Sequence, residues 1–268
     1  MNKANSDNPD QIPQENRVEQ NSLKQFIQSE LAKKPGRTHP IEYMGKRYWV
    51  KQPEKLDFRM RIQKGNALRS FEAERKALKY LSGLELPVAP LVAEGPDWFA
   101  IEDGGIPLDS LLKNNNSDNQ ENIKAFTAAG QSLVQLHRSD ICHGRPSLGD
   151  ILWDGMKATF IDFELFSPKR NSQWFKVMDI IVLVICIFAI RHEAAGELEA
   201  TAKAYRSNGG ERYWQQAKKV CKHLLWFSFL LAPIGLRKTG RARDVRAIVP
   251  ALRYIKTMPG SFESTSIK

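Results

Sequence analysis

Cysteine is scarce in this sequence, and an apolar leader is missing. The 268 residues include three cysteines, Cys142, Cys186 and Cys221, and no two of them form a CxxC pair. An odd number of widely spaced cysteines argues against a disulfide framework and against a zinc site. The first 22 residues are polar and contain no apolar stretch of the secretory kind. These absences predict a protein of the reducing cytoplasm.

Apolar runs of membrane-spanning length are also missing. The two longest runs, IIVLVICIFAI at residues 180–190 and LLWFSFLLAPIGL at residues 224–236, are 11 and 13 residues long. A spanning helix needs about 20 apolar residues. We therefore expect two buried helices. Shallow contact with a membrane face is the alternative, and the basic residues that flank the runs favour it.

Acidic residues are too few to balance the basic ones. Forty Lys and Arg residues against 30 Asp and Glu residues give a net charge of +10 and a pI near 9.5. Such an excess favours an anionic partner, which can be a nucleic acid, a nucleotide phosphate or an acidic membrane surface. A soluble protein that is merely basic is the plain alternative.

One basic cluster bears on whether the anionic partner is a nucleic acid. It lies in the segment LRKTGRARDVR at residues 236–246. No aromatic stacking platform and no known DNA-binding motif accompany it, so nucleic acid is not the expected partner. An unrelated basic helical binding protein nevertheless stays open as a third hypothesis. The basic residues are Arg237, Lys238, Arg241, Arg243 and Arg246.

The order of the predicted elements divides the chain into four parts. Residues 1–36 are polar and predict a disordered or loosely helical arm. Residues 37–104 predict strands with one helix, residues 105–258 are mostly helical, and residues 259–268 form a flexible tail. The predicted fold class is α+β, with a small lobe of β-sheet and one helix, a larger helical lobe, and a ligand cleft between them.

Two local patterns support the small lobe. The segment IEYMGKRYWVKQ alternates β-branched and aromatic residues around Gly45 and Lys46, which predicts a tight β-hairpin. The segment SFEAERKALKYLSGL places apolar residues at helical spacing, and Ser70 is a suitable N-cap for that helix.

The stretch CHGRPSLGDILWDGMKATFIDFE, at residues 142–164, contains three aspartates, and the first and last of them, Asp150 and Asp162, lie 12 residues apart. Asp162 follows the apolar segment ATFI and Asp150 precedes another, so a short hairpin would bring both carboxylates to one site. Carboxylate oxygens are good ligands for Mg²⁺. Taken alone, Asp162 is equally well explained as an aspartate in a turn at the end of a strand.

In their order and spacing, the motifs YWVK, ERKALKYLSGLELPVAP, HGRPSLGDIL and IDFE resemble those of the protein-kinase-like superfamily. Within it, the chain looks most like the small bacterial lipopolysaccharide (Kdo/heptose) kinases and their atypical relatives. The resemblance covers roughly residues 41–257. It implies a bilobal kinase-like fold, ATP and Mg²⁺ as cofactors, and phosphoryl transfer to a sugar or a lipopolysaccharide-type glycolipid.

The resemblance implies a nucleotide site in the first lobe. Lys51 matches the strand lysine that holds the α- and β-phosphates, and Glu74 matches the helix glutamate that orients it, with Glu72 as the competitor. Glu102 and Asp103 occupy the hinge, where backbone groups hold the adenine. No GxGxxG loop precedes the lysine, which is a departure that atypical kinases share.

The resemblance also implies roles around the catalytic loop. His143 supports the loop structurally or supplies a base, and Asp150 replaces the asparagine that binds Mg²⁺. Asp162 is the second metal ligand. Asp179 accepts backbone hydrogen bonds from the loop, or caps the helix that follows. Arg145 stands where the family has the aspartate that accepts the proton of the substrate hydroxyl.

Two further features surround that loop. Glu164 replaces the usual glycine and adds negative charge near the metals. Upstream, His137, Arg138 and Asp140 imitate a displaced catalytic motif, but they lie at the end of a predicted helix and in the wrong register. We interpret them as an ordinary helix terminus.

Arg145 leaves the chemistry open. A guanidinium does not act as a base in a protein, although general-base catalysis contributes only about 10²- to 10⁴-fold. One hypothesis is an active kinase in which Arg145 stabilises the transferring phosphate or binds an anionic acceptor, such as a phosphate-rich glycolipid at the cytoplasmic face of the inner membrane. The alternative is a pseudokinase that binds nucleotide or a protein partner without phosphoryl transfer.

Overall fold

The computed structural model of the protein describes residues 14–33, 36–53, 67–114, 119–226 and 240–259. The chain divides into two compact units. The first unit comprises Met1–Phe71 and Pro90–Asp103, and the second comprises Glu72–Ala89 and Gly104–Lys268. The described residues form an α+β protein with two small antiparallel sheets.

The strands are short and most of the helices are long. The strands are β1 (Thr38–Tyr43), β2 (Lys46–Lys51), β3 (Leu91–Glu94), β4 (Phe99–Glu102), β5 (Ile106–Pro107), β6 (Ile151–Trp153) and β7 (Ala158–Phe160). The helices are α1 (Gln14–Lys33), α2 (Ala67–Leu81), α3 (Leu108–Lys113), α4 (Asn119–Arg138), α5 (Gln173–Ile190), α6 (Ala195–Tyr205), α7 (Glu211–Trp226) and α8 (Gly240–Thr257).

The first unit contains a four-stranded antiparallel sheet in the order β1-β2-β4-β3. The predicted hairpin is confirmed, with β1 and β2 paired from Tyr43↔Lys46 onward. Its turn consists of Met44 and Gly45, and both have positive φ angles, of 48° and 75°. Two successive residues with positive φ match the right-handed twist of the flanking strands.

Within residues 1–36, predicted to be a disordered or loosely helical arm, the described residues 14–33 form helix α1, which is docked on the first unit. It is a 20-residue helix, and Leu23 and Ile27 are buried in the apolar cluster of the first unit. Phe26 and Leu31 pack against the same cluster. The polar composition concealed this face, because a few apolar residues at helical spacing are enough to dock a helix on a sheet. The other members of the cluster are Ile41, Tyr48, Val50, Trp98 and Ala100.

Helix α2 starts earlier than the sequence indicates. It begins at Ala67, so Ser70 lies inside the helix and the N-cap prediction is wrong. Residues 54–66, immediately before Ala67, lie outside the described part of the chain. The apolar pattern itself was informative, because Phe71, Leu78 and Leu81 are all buried.

The second unit is mainly helical and holds a three-stranded antiparallel sheet in the order β5-β6-β7. Helices α4 and α6 pack closely. The contact needs a residue without a side chain, because a Cβ on Gly130 would collide with the carbonyl oxygen of Thr201. The helix predicted to end near His137 and Arg138 corresponds to α4.

Helix α5 contains the first apolar run. It has 18 residues with a mean hydropathy of 2.2. Within the described residues it is the one helix long and apolar enough to cross a membrane. Half of it is buried inside the protein, including Lys176 and Asp179. It packs against α7 and α8. The structure thus has a half-buried helix where a buried one was expected.

Most of the second apolar run and most side chains of the basic cluster lie outside the described part of the chain. Residues 227–239 lie outside the described residues, and so do the side chains of residues 240–244. Of the cluster, only the side chain of Arg246 is described, and it is exposed.

Candidate active site

A tight hairpin carries the two aspartates of the motif. Ile151, directly after Asp150, pairs with Phe160 in β7, and Asp162 follows two residues later. The backbone N–H of Ile161 donates to the carbonyl oxygen of Asp150 over 2.9 Å. The two aspartates therefore leave the same end of the hairpin, as the sequence predicted.

Asp150 is held from one side by the loop that precedes it. The hydroxyl of Ser147 donates to Asp150 Oδ2 over 2.6 Å. Burial raises the pKa of Asp150, and the negative charge of Asp162 raises it further, while Ser147 opposes both effects. An environment that penalises the charge of a carboxylate in this way favours a cation beside it.

Asp162 has an unusual backbone conformation. Its φ angle is 63°, in the left-handed region that non-glycine residues seldom adopt. Aspartate tolerates this region better than most residues, and strained backbone of this kind is found preferentially at functional sites. The conformation fixes how the chain turns immediately after β7.

Arg145 lies close to two carboxylates, at the position where the resemblance implies an aspartate. Its Nη2 atom lies 3.2 Å from Glu164 Oε1 and 3.9 Å from Asp162 Oδ2. The side chain of Arg145 is 57% exposed, against 25% for Glu164 and 27% for Asp162. The charge that Glu164 adds to the loop is therefore directed at the guanidinium.

Asp179 holds the loop that contains His143 and Gly144. Its carboxylate is fully buried and accepts hydrogen bonds from the backbone N–H groups of His143, over 2.7 Å, and Gly144, over 2.9 Å. These are the hydrogen bonds that the resemblance implied. The helix-capping alternative is wrong, because α5 begins at Gln173 and Ser172 occupies the N-cap position.

His137 is the member of this network that the sequence did not reveal. Its Nε2 lies 3.3 Å from Asp179 Oδ2 and its Nδ1 lies 2.7 Å from the hydroxyl of Tyr205. Burial lowers the pKa of His137 despite the opposing effect of Asp179, so the ring is neutral at pH 7. The residue does end a helix, as we interpreted it, but it also supports Asp179.

Both ring nitrogens of His143 form hydrogen bonds with backbone groups. Its Nε2 lies 2.7 Å from the carbonyl oxygen of Ile161, and its Nδ1 accepts a hydrogen bond from the backbone N–H of Arg145 over 3.4 Å. The ring thereby connects the loop at residues 143–145 to the chain that leads into Asp162. Of the two roles considered for His143, these contacts correspond to the structural one.

The predicted nucleotide-binding residues of the first unit lie on its central strands. Lys51 ends β2 opposite Phe99, and Glu102 ends β4 with its side chain exposed. The carboxylate of Asp103 lies 3.4 Å from Arg47 Nε.

The two candidate glutamates on α2 differ in their surroundings. Glu72 forms an ion pair with Arg75 over 2.8 Å, whereas Glu74 is buried, with an exposure of 6%. Both belong to the second unit. A buried carboxylate needs polar partners, so the greater burial is consistent with the preference for Glu74.

The loop offers two carboxylates to a metal ion, which is fewer than a metal site built from protein side chains alone would use. No group of three or more His, Cys, Asp or Glu side chains in the described ranges is arranged to hold a metal ion. Mg²⁺ does not require one, since it keeps several waters and binds one or two carboxylates together with substrate phosphates. The closely spaced Asp150 and Asp162 meet that requirement.

We predict that Asp150→Asn stabilises the fold at neutral pH. Because the folded-state pKa of Asp150 is raised, ionisation costs stability as the pH rises through that pKa, and nothing is lost below the ordinary value of 3.8. The amide oxygen can still accept the hydrogen bond from Ser147. The free energy of unfolding should rise by about 0.5–2 kcal/mol at pH 7, measured by urea denaturation.

The pH dependence provides the control for this prediction. The gain from Asp150→Asn should shrink as the pH approaches 4, and the variant Asp97→Asn, at an exposed position, should change little at either pH. A loss of stability at pH 7, or a gain that does not depend on pH, would contradict the electrostatic explanation.

Comparison with known proteins gives a family but not an activity. No protein-family model matches the chain. A Haemophilus influenzae protein, itself uncharacterized, is 30% identical over 197 residues, which cover 74% of this chain and 81% of that protein. The chain therefore belongs to the same protein family as this Haemophilus influenzae protein.

Proposed function

We propose that the protein is an ATP- and Mg²⁺-dependent phosphotransferase with a protein-kinase-like bilobal fold, acting on a sugar or a lipopolysaccharide-type glycolipid. The observation that carries the proposal is the pair of hydrogen bonds from the His143 and Gly144 backbone to Asp179. They connect a helix to a loop whose next residues lead into Asp150.

The carboxylates provide the second support. Asp150 and Asp162 leave one end of the β6–β7 hairpin, and we assign them as the ligands of Mg²⁺. Mg²⁺ bound with ATP would neutralise the charge that develops on the phosphates during transfer. Lys51 is proposed to bind the phosphates, and the backbone at Glu102 and Asp103 to bind the adenine.

The absence of an aspartate at Arg145 is compatible with catalysis. Phosphoryl transfer depends mainly on positioning and on electrostatic stabilisation, which the loop and its carboxylates provide. Arginine commonly binds phosphate oxygens through two parallel hydrogen bonds. In this proposal Arg145 acts on phosphate and not on a proton.

One observation favours a second candidate, a pseudokinase that binds nucleotide or a protein partner. Arg145 forms an ion pair with Glu164 and also approaches Asp162. A guanidinium held in this way partly satisfies the carboxylates without a metal. A nucleotide-binding protein without transfer activity would tolerate that arrangement.

The proposed location is the cytoplasm, with peripheral contact to the cytoplasmic face of the inner membrane. The net charge of +10 supports attraction to phosphate-rich lipids and glycolipids. Nucleic acid is not part of the proposal.

Transfer of labelled γ-phosphate separates the two candidates. ATP labelled at the γ-phosphate is incubated with the protein, Mg²⁺ and a lipopolysaccharide fraction, and the label in that fraction is counted. The kinase proposal predicts Mg²⁺-dependent incorporation that Asp162→Asn abolishes. Mg²⁺-dependent ATP binding without incorporation would favour the pseudokinase.

A further inference from the structure

We infer that the atom that accepts the phosphoryl group is an oxygen that is already ionised, on a phosphate group of the acceptor, and that Arg145 binds this group. The inference rests on the proposed function and narrows its substrate class. A hydroxyl acceptor needs a base to remove its proton, whereas an oxyanion acceptor needs a cation to offset its charge. The inferred acceptor is of the second kind.

The first argument is the state of the groups that could serve as a base. Both ring nitrogens of His143 are engaged by the backbone. Asp150 accepts a hydrogen bond from Ser147, and Asp162 leaves the same end of the hairpin, so both aspartates are suited to a metal. Glu164 is ion-paired with Arg145. In the described part of this loop, each candidate base therefore already has another partner.

The second argument is the geometry of the guanidinium. In the described contacts, Arg145 uses Nη2 both for the hydrogen bond to Glu164 and for the longer approach to Asp162. The side chain is more than half exposed. A guanidinium carries five N–H donors in a planar fork that matches the spacing of phosphate oxygens. The fork thus retains donors for an incoming anion while Glu164 holds one edge.

The third argument is the charge of the loop. Here one arginine and three carboxylates, on Asp150, Asp162 and Glu164, leave two net negative charges. The arrangement that the resemblance implies, with two aspartates, an asparagine and a glycine, carries the same net charge. The chain has thus exchanged a negative charge for a positive one at position 145 and compensated for it elsewhere. This exchange preserves attraction for metal ions and makes the acceptor position cationic.

The chemistry balances without a base. An oxygen of the acceptor phosphate forms a bond to the γ-phosphorus of ATP, and the bond from that phosphorus to the β,γ-bridging oxygen breaks, with its electron pair leaving on ADP. A diphosphate is produced, and no proton has to be removed from the attacking oxygen. A hydroxyl acceptor, by contrast, must release one proton. Arg145 would offset the repulsion between the two phosphates, which is the main obstacle to an anionic nucleophile.

Binding of inorganic phosphate tests the inference directly. The protein is first saturated with Mg²⁺ and a non-hydrolysable ATP analogue, so that the γ-phosphate position is filled, and phosphate is then titrated by calorimetry. We expect Arg145→Gln to weaken phosphate binding by about tenfold or more, the usual effect of losing a charge-assisted hydrogen bond. Glu164→Gln should strengthen it several-fold, because a competing carboxylate is removed.

Arg170→Gln is the matched control. It makes the same charge change at an arginine whose described contacts are the Leu165 carbonyl oxygen and the Phe175 ring, and it should leave phosphate binding within about twofold. No phosphate binding by the wild type, or equal binding by wild type and Arg145→Gln, overturns the inference. Failure of the ATP analogue to bind in the first step would instead remove the proposed function itself.

The product provides the second readout. With ATP, Mg²⁺ and inorganic phosphate, we expect ADP and pyrophosphate to form in equal amounts. Preferred use of an unphosphorylated sugar as acceptor, together with loss of that activity in Glu164→Gln, would overturn the inference and identify Glu164 as the base. If neither acceptor is used, the phosphate titration decides alone.

Discussion

Replacing Asp179 with alanine is expected to lower the free energy of unfolding by about 3–5 kcal/mol, which is the usual cost of breaking a buried, charged hydrogen-bond network. The carboxylate is fully buried and accepts from His143 and Gly144, and it also contacts His137. Truncation leaves these groups without an acceptor in a site that water does not reach. Since many domains have only about 5–15 kcal/mol of stability, the variant should unfold at markedly lower denaturant concentration.

The same network can be tested with milder and matched changes. In Asp179→Asn one oxygen remains as an acceptor, but the amide opposes a second donor, so the loss should be smaller while the protein still folds. Asp154→Asn is the control: this aspartate also accepts two backbone hydrogen bonds, from Met156 and Lys157, but it is exposed. It should change stability by less than about 0.5 kcal/mol. Equal losses in the two asparagine variants would refute a special role for Asp179.

Asp162→Asn is expected to weaken Mg²⁺-dependent ADP binding by at least about 100-fold, because even groups outside the first coordination sphere of a metal typically contribute 10–100-fold to its affinity. Asparagine is the right substitution because it tolerates the positive φ of this position. The change therefore removes charge without adding backbone strain. Calorimetric titration with ADP, with and without Mg²⁺, measures the effect.

Two observations would separate this result from a general loss of structure. The stability of Asp162→Asn without ligand should stay within about 1 kcal/mol of the wild type, since its carboxylate is partly exposed and makes only a long contact with Arg145. Asp154→Asn should bind ADP normally. Unchanged Mg²⁺-dependent binding in Asp162→Asn would show that the metal, if bound, lies elsewhere.

The sequence predicted the parts of the site that depend on local order. The 12-residue interval between Asp150 and Asp162 is short enough that a hairpin follows from the apolar segments between them. The hydrogen bonds of Asp179 followed from the resemblance, which supplied a long-range contact that spacing alone does not give.

His137 and the Arg145–Glu164 pair show where sequence reasoning stops. His137 contacts Asp179 and Tyr205, which are 42 and 68 residues away along the chain. No local pattern encodes these contacts. The sequence indicated that Glu164 adds negative charge, but the partner of that charge depends on how the two loops face each other.

The elements of the fold also differ in whether the sequence predicted them. The β1–β2 hairpin was predictable because Gly45 favours the positive φ that the turn requires. Helix α1 was not recognised, since its apolar face consists of few residues and becomes buried only against the sheet of the first unit. The start of α2 was misplaced because serine is a preferred N-cap residue, whereas the helix runs through Ser70 from Ala67.

A thermal-shift titration of the wild-type protein with ATP, in the presence and absence of Mg²⁺, tests the central claim most directly. A ligand that binds only the folded state raises stability in proportion to the logarithm of its concentration relative to its dissociation constant. If Asp150 and Asp162 hold a metal–nucleotide complex, the melting temperature should rise with ATP far more when Mg²⁺ is present. No shift at millimolar ATP with Mg²⁺ would contradict the assignment of a nucleotide site and, with it, the proposed phosphotransferase.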